Sequence, residues 1–169
     1  MMTCNELYQE ALSRAGLKRT DPGVFDISCF MEKVLGISRF QLPIRGNDPV
    51  PTEKEQEFFV LFSRWQSGEP LQYILGSWEF YGLPFFVGPG VLIPRQDTET
   101  LAEEALHYLK GRQDPLVADV CSGSGCLACT IALKCQGASV YALELSSQAL
   151  PYLQKNVDAL KADVKILQG

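Results

Sequence analysis

Between Leu116 and Leu145 the chain runs apolar to an acid, turns on glycines, continues as an apolar helix, and runs apolar again to a second acid. Leu116-Val117-Ala118-Asp119-Val120 is short, β-branched and preceded by Pro115, which predicts a buried parallel strand. Cys121-Ser122-Gly123-Ser124-Gly125 follows, and two glycines two apart let the backbone turn sharply and approach a ligand that a Cβ would push away. A helix is predicted from about Gly125, with Leu127, Ala128, Ile131, Ala132 and Leu133 making it apolar enough to pack on a sheet. Ser139 to Glu144 is the second strand. Its terminal carboxylate stands where a ribose diol is hydrogen-bonded, about 20 residues beyond the glycines. A strand, turn, helix and strand in this order hold an adenosine-containing cofactor.

Two cofactors share that description. Gly123-x-Gly125-x-x-Ala128 satisfies the dinucleotide pattern, in which a pyrophosphate lies over the helix N-terminus. Asp119 opposes it, because a carboxylate beside the turn repels a pyrophosphate. S-adenosylmethionine carries a sulfonium, an ammonium and no phosphate, so the same acid favours it. Asp-x-x-x-Gly-x-Gly with an acid after the next strand resembles the cofactor signature of class I methyltransferases. That reading makes Asp119, Cys121, Ser122, Gly123, Ser124, Gly125 and Glu144 the cofactor-binding set. A nicotinamide-binding oxidoreductase fragment is the alternative, and a glycine turn that holds no ligand is the plainer one.

Composition narrows the class further. Of 169 residues, 46% are hydrophobic and 21% charged, which is enough apolar material for a soluble core and argues against disorder. A net charge of −5 argues against a broad nucleic-acid surface. No basic start with an apolar run opens the chain, and no apolar run reaches the ~18 residues that span a bilayer, so a cytoplasmic protein off the membrane is expected. The six cysteines then read as free thiols. Cys121-x4-Cys126-x2-Cys129, with Cys135 after it, matches the opening of a ferredoxin pattern, but Cys135 follows too soon, and cysteine on an apolar helix behaves as a small hydrophobe. His107, the only histidine, falls on the outer side of its helix.

Upstream, a helix is expected from about Thr3 to Ala15 with Leu7, Tyr8, Ala11, Leu12 and Ala15 on one face and Gly16 as its stop. Pro22 opens a second, with Val24, Ile27, Met31, Val34 and Leu35 ahead of Gly36. After a connector from Leu42 to Pro51, Thr52-x-x-Glu55 reads as a capping box opening a helix that buries Phe58, Leu61, Phe62 and Trp65. A short fourth helix spans about Pro70 to Leu75, completing a small bundle. Aromatic runs on both sides of Gly82-Leu83-Pro84 suggest a β-hairpin, and Val91 to Ile93 is extended. Asp97 or Thr98 is expected to cap a helix that turns Leu101, Ala102, Ala105, Leu106 and Leu109 inward. After Ser146, a predicted cap, comes a helix with Ala149, Leu150, Leu153, Val157 and Leu160, then a third strand from Asp163 to Leu167.

Several rare motifs occur in one order: Gly68-Glu69-Pro70-Leu71-Gln72-Tyr73-Ile74-Leu75-Gly76, Glu79-Phe80-Tyr81-Gly82, Val91-Leu92-Ile93-Pro94-Arg95 and Thr98-Glu99. In these the chain resembles the HemK/PrmC family of protein-(glutamine-N5) methyltransferases, which modify the Gly-Gly-Gln motif of peptide chain release factors. The resemblance implies an α+β two-domain chain. A helical N-terminal domain that contacts the release factor covers 1–76, a β-hairpin linker 77–96, and the first part of a Rossmann-like class I methyltransferase domain 97–169. It also implies S-adenosylmethionine around the turn Cys121 to Gly125 with Glu144 on the ribose, no nucleic-acid partner, and a monomer at full length. Cys121 stands where the family usually has glycine, Gln96 where proline is common, and Glu144 where aspartate is common. The family's Asn-Pro-Pro-Tyr motif, which holds the substrate glutamine, is not in this sequence. The expectation is therefore an enzyme family member whose residues 1–169 do not methylate alone, with a non-catalytic release-factor-binding module as a further alternative.

Overall fold

The computed structural model describes residues 2–169, and the chain divides into two compact units between Leu75 and Gly76. The first is helical: α1 (Cys4–Ala15), α2 (Gly23–Leu35), α3 (Leu42–Arg45), α4 (Thr52–Gln66) and α5 (Leu71–Leu75). Thr3 opens α1 with a reciprocal capping box: its hydroxyl accepts from the Glu6 amide at 3.3 Å, and the Glu6 carboxylate accepts from the Thr3 amide at 2.8 Å. Left-handed Gly16 ends α1 and left-handed Gly36 ends α2. The core joins Leu7, Ile27, Phe30, Met31, Val34, Phe58 and Phe62, with Phe30 set edge-on to Phe58. Trp65 is only half-buried, because its indole N–H reaches out to the Asp26 carboxylate at 2.8 Å.

Two local expectations in this unit fail. Thr52 makes no capping box, since Pro51 is the N-cap and Thr52 is already helical, and no side-chain cap hydrogen bond forms. The same Thr-x-x-Glu spelling works at Thr3, which precedes its helix. The connector also contains α3, which places Pro43 in its first turn, where proline costs no hydrogen bond.

The second unit contains the hairpin β1 (Ser77–Phe80) and β2 (Leu83–Phe86), then α6 (Gln96–Leu109), β3 (Leu116–Val120), α7 (Cys126–Lys134), β4 (Ser139–Glu144), α8 (Leu150–Leu160) and β5 (Val164–Gln168). The hairpin turns on Tyr81 and Gly82, both at positive φ, the two-residue turn whose twist suits a hairpin. Leu83 and Pro84, expected in the break, therefore belong to β2. Phe80 and Phe85 are buried in one cluster with Ala102, Ala128, Ile131, Val140, Leu153 and Val157, so the hairpin shares the core of this unit.

Strands β3, β4 and β5 are parallel in the order β3-β4-β5, with β4 central. Register places Val117 and Asp119 beside Val140 and Ala142 on the face that α7 covers. The opposite face leaves Leu116 74% and Val120 67% exposed, which corrects the expectation of a strand buried throughout. A strand reads as doubly buried only where helices lie on both faces, and among the described residues that face is open at β3. Leu101 is likewise 54% exposed, not inward, and α6 begins at Gln96 with Arg95 as N-cap and no side-chain cap from Asp97 or Thr98. Ser146 closes the turn preceding α8 and does not cap the helix, whose N-cap is Ala149: its hydroxyl accepts from the amides of Gln148 and Ala149 at 3.3 Å.

Candidate cofactor-binding site

The site forms where β3 and β4 end side by side. Residues Cys121 to Gly125 connect β3 to α7, and three of the five, Cys121, Gly123 and Gly125, have positive φ of 62°, 57° and 77°. The loop is pinned at both ends: Ser122 N–H donates to the Leu143 carbonyl at 3.0 Å, and Gly125 N–H donates to the Ser122 carbonyl at 2.8 Å. Gly125 has a second reason to be glycine, since a Cβ there would collide with Leu153 Cδ1.

Both acids serve this loop. One Asp119 oxygen accepts from Ser122 Oγ at 2.7 Å and from the Ala128 N–H at 3.2 Å, which places the carboxylate against the first turn of α7. Burial outweighs those bonds and holds the Asp119 carboxyl above its ordinary value, with the Glu144 charge adding in the same direction. Glu144 is 8% exposed; one of its oxygens accepts from the Gly123 N–H and the other from the Ser146 N–H, both at 2.7 Å. The acid assigned to a ribose diol thus already spans from the end of β4 to the glycine turn.

A cavity of about 210 Å³ opens on the turn, lined by Asp119, Cys121 and Ser122 on one side and by Ile93, Arg95, Thr98 and Leu101 on the other. That is below the ~300–1,000 Å³ typical of pockets enclosing a whole drug-sized ligand, and is room for one end of one. Larger open grooves lie on the helical unit, such as one of about 790 Å³ lined by Glu6, Gln9, Glu10 and Glu55, away from the glycine turn. The structure brings all seven sequence-predicted site residues to one loop and the strand end beside it. Cys121 is exposed at the cavity, whereas Ser122, Ser124 and Gly125 are buried.

Sequence reasoning missed the opposite wall. Ile93, Arg95, Thr98 and Leu101 lie more than a helix away in sequence and have no periodicity linking them to the turn. Their only signal was the unusual spelling Ile93-Pro94-Arg95 followed by Thr98-Glu99. Glu99 accepts from the Tyr81 N–H at 2.8 Å, so two of the motifs quoted above meet in space. The cysteines sort by burial: the Cys126 thiol is pushed up to about 11 and the Cys129 thiol to about 12, both chiefly by desolvation in the core of α7.

A parallel sheet with a glycine turn after its first strand and an acid closing its second is the opening half of a Rossmann-like methyltransferase fold. Comparison with known sequences agrees with that reading. Residues 6–76 match the family described as PrmC N-terminal domain. A release factor glutamine methyltransferase of Bordetella pertussis is 44% identical over 151 residues, 88% of this chain and 56% of that protein. One from Corynebacterium glutamicum is 34% identical over 100% of this chain and 60% of its own length. Residues 6–76 thus fall in the PrmC N-terminal domain family, and the chain spans about half the length of the curated relatives it matches. Among solved structures, M. jannaschii TYW2 in complex with AdoMet is similar over 55% of this chain and 42% of its own, at 20% identity and a TM-score of 0.47.

Proposed function

We propose that the turn Cys121 to Gly125, with Asp119 and Glu144, binds S-adenosylmethionine as part of an enzyme that methylates the glutamine of the Gly-Gly-Gln motif in peptide chain release factors. The observation that carries the cofactor is the Asp119 carboxylate bonded to the Ala128 N–H at the start of α7. A dinucleotide's pyrophosphate needs that helix terminus for itself, and here an acid occupies it. A cationic sulfonium and ammonium are favoured beside the same acid. Glu144 is the partner for the ribose hydroxyls, and the cavity between Arg95 and Cys121 is the room for the amino-acid end.

The substrate follows from the relatives, which are named release factor glutamine methyltransferases. Methyl transfer from a sulfonium is an in-line displacement, in which the protein's work is to align the nucleophile and exclude water. An amide nitrogen is a weak nucleophile because its lone pair is delocalised. The family's Asn-Pro-Pro-Tyr motif, which orients that amide by the resemblance, is not among residues 1–169. These residues bind and orient the cofactor; the helical unit is the release-factor contact. A cytoplasmic monomer with no nucleic-acid partner completes the proposal. No helix among the described residues is long and apolar enough to cross a membrane.

Isothermal titration of residues 1–169 with S-adenosylmethionine and separately with NADH tests the cofactor. Saturable binding of the first and none of the second is expected; the reverse would return the dinucleotide reading. Incubation with labelled S-adenosylmethionine and a release factor, read by the mass of the Gly-Gly-Gln peptide, tests the substrate. A release-factor complex without methylation by this chain is expected. Robust methylation by residues 1–169 would show that the Asn-Pro-Pro-Tyr motif is dispensable, and absence of any complex would remove the helical unit from recognition.

A further inference from the structure

Asn156, on α8, is fully buried and has both amide hydrogens and its oxygen engaged. Its Oδ1 accepts from the Phe86 N–H at 2.7 Å, while its Nδ2 donates to the Phe86 carbonyl at 3.1 Å and to the Ser124 carbonyl at 2.8 Å. The carboxamide therefore takes both backbone groups of Phe86, as a neighbouring strand would, and uses its remaining N–H on the glycine turn. Val87 N–H donates to Gly76, so alternate backbone groups of β2 face β1 and the Phe86 groups face α8.

The same face of α8 seats the turn sterically. Leu153, one helical turn before Asn156, fills the space a Gly125 side chain would need. Tyr152 does the same at Gly88 after β2, where a Cβ would overlap its ring and hydroxyl. The Lys155 ammonium lies 3.7 Å over the Phe86 ring. Backbone of the hairpin and backbone of the turn thus rest on one stretch of one helix, and the Asn156 side chain hydrogen-bonds to both.

We infer that Asn156 is a positioning residue: by bridging Phe86 and Ser124 it locks the turn Cys121 to Gly125 to the hairpin strand β2, and so fixes the shape the cofactor meets. The consequence for cofactor rests on the proposed S-adenosylmethionine site; the lock itself does not. An aspartate at 156 keeps the volume and one acceptor but turns carboxylate oxygens toward two carbonyls, which breaks the bridge without opening a cavity.

Cys126, at the start of α7 beside the turn, gives a readout that needs no ligand, because it is buried and reacts only on opening, whereas Cys121 is exposed and reacts without it. In Asn156→Asp, iodoacetamide modification of Cys126 and amide exchange at Gly123 and Gly125 are expected to accelerate by about tenfold or more, the scale of a lost buried hydrogen bond in local opening. Val157→Ala, which trims the same helix in the core away from the turn, is the control for lowered melting temperature alone. Equal changes in the two variants would overturn the inference. If Asn156→Asp fails to fold, wild-type exchange decides instead: the Phe86 and Gly125 amides should open together with one urea dependence, and independent opening would overturn the lock. S-adenosylmethionine affinity is measured alongside. Wild type that fails to bind it refutes the proposed function, while the labelling and exchange results still decide the role of Asn156.

Discussion

Replacing Glu144 by alanine is expected to cost folding stability even with no ligand present. Both carboxylate oxygens are committed, at 2.7 Å each, to the Gly123 and Ser146 amides, and the side chain is 8% exposed. Hydrogen bonds to a charged group contribute roughly 1.5–3 kcal/mol each, and removal leaves two backbone donors without their acceptor. Allowing water to enter the opened site, the loss is about 2–4 kcal/mol, which at a slope of about 2 kcal/mol per molar urea lowers the midpoint by about 1–2 M. Glu144→Gln keeps one acceptor and should lose about half as much. Urea unfolding followed by circular dichroism at neutral pH measures both. A midpoint for Glu144→Ala within ~0.3 M of wild type, or a Gln variant as damaged as Ala, would refute the assignment of Glu144 as the anchor of the glycine turn. The corollary for binding is that a ribose diol must share this carboxylate with Gly123 and Ser146, so affinity and stability fall together in the variants.

Cys121→Gly should stabilise the chain by about 0.5–1 kcal/mol, since a φ of 62° costs an L-residue ~1–2 kcal/mol and glycine returns part of that as unfolded-state entropy; a lowered urea midpoint, or weaker S-adenosylmethionine binding, would contradict it. Asp119→Asn should stabilise near neutral pH, because Asn retains an oxygen for Ser122 Oγ and the Ala128 N–H without a buried charge. With its carboxyl raised above 3.8, folded Asp119 holds its proton where the unfolded chain has lost it, so its contribution is most favourable below 3.8 and is lost as pH rises through the folded value. The gain from Asp119→Asn should therefore be larger near pH 7 than near pH 3.5, and urea midpoints showing an equal gain at both would refute the raised carboxyl. The same variant should weaken S-adenosylmethionine in titration. Alkylation near pH 8 should label Cys121 in the native protein but not Cys126 or Cys129, whose thiols sit at about 11 and 12; mass mapping that finds either buried thiol labelled as fast as Cys121 would show that α7 is not packed as described.

The sequence by itself determined what depends on neighbours along the chain. Apolar runs closing on Asp119 and Glu144, glycines at 123 and 125, and stripes such as Ile27, Met31 and Val34 fix strand, turn and helix because each is a local periodicity or a local steric need. It was less reliable at element ends. Thr3 and Thr52 begin the same four-residue pattern, and only the backbone just before each helix decides which of them caps. Tertiary structure alone decided the rest, because those features join residues far apart in sequence. Arg95 and Leu101 reach the cavity wall opposite Asp119 only once α6 packs in its unit, and nothing in their spacing points to the turn. Exposure of Leu116 and Val120 depends on which sheet face the helices cover, which an apolar run cannot express. Asn156 reads in sequence as one polar residue in an amphipathic helix, yet it is buried because two backbone carbonyls and an amide from Phe86 and Ser124 satisfy it there.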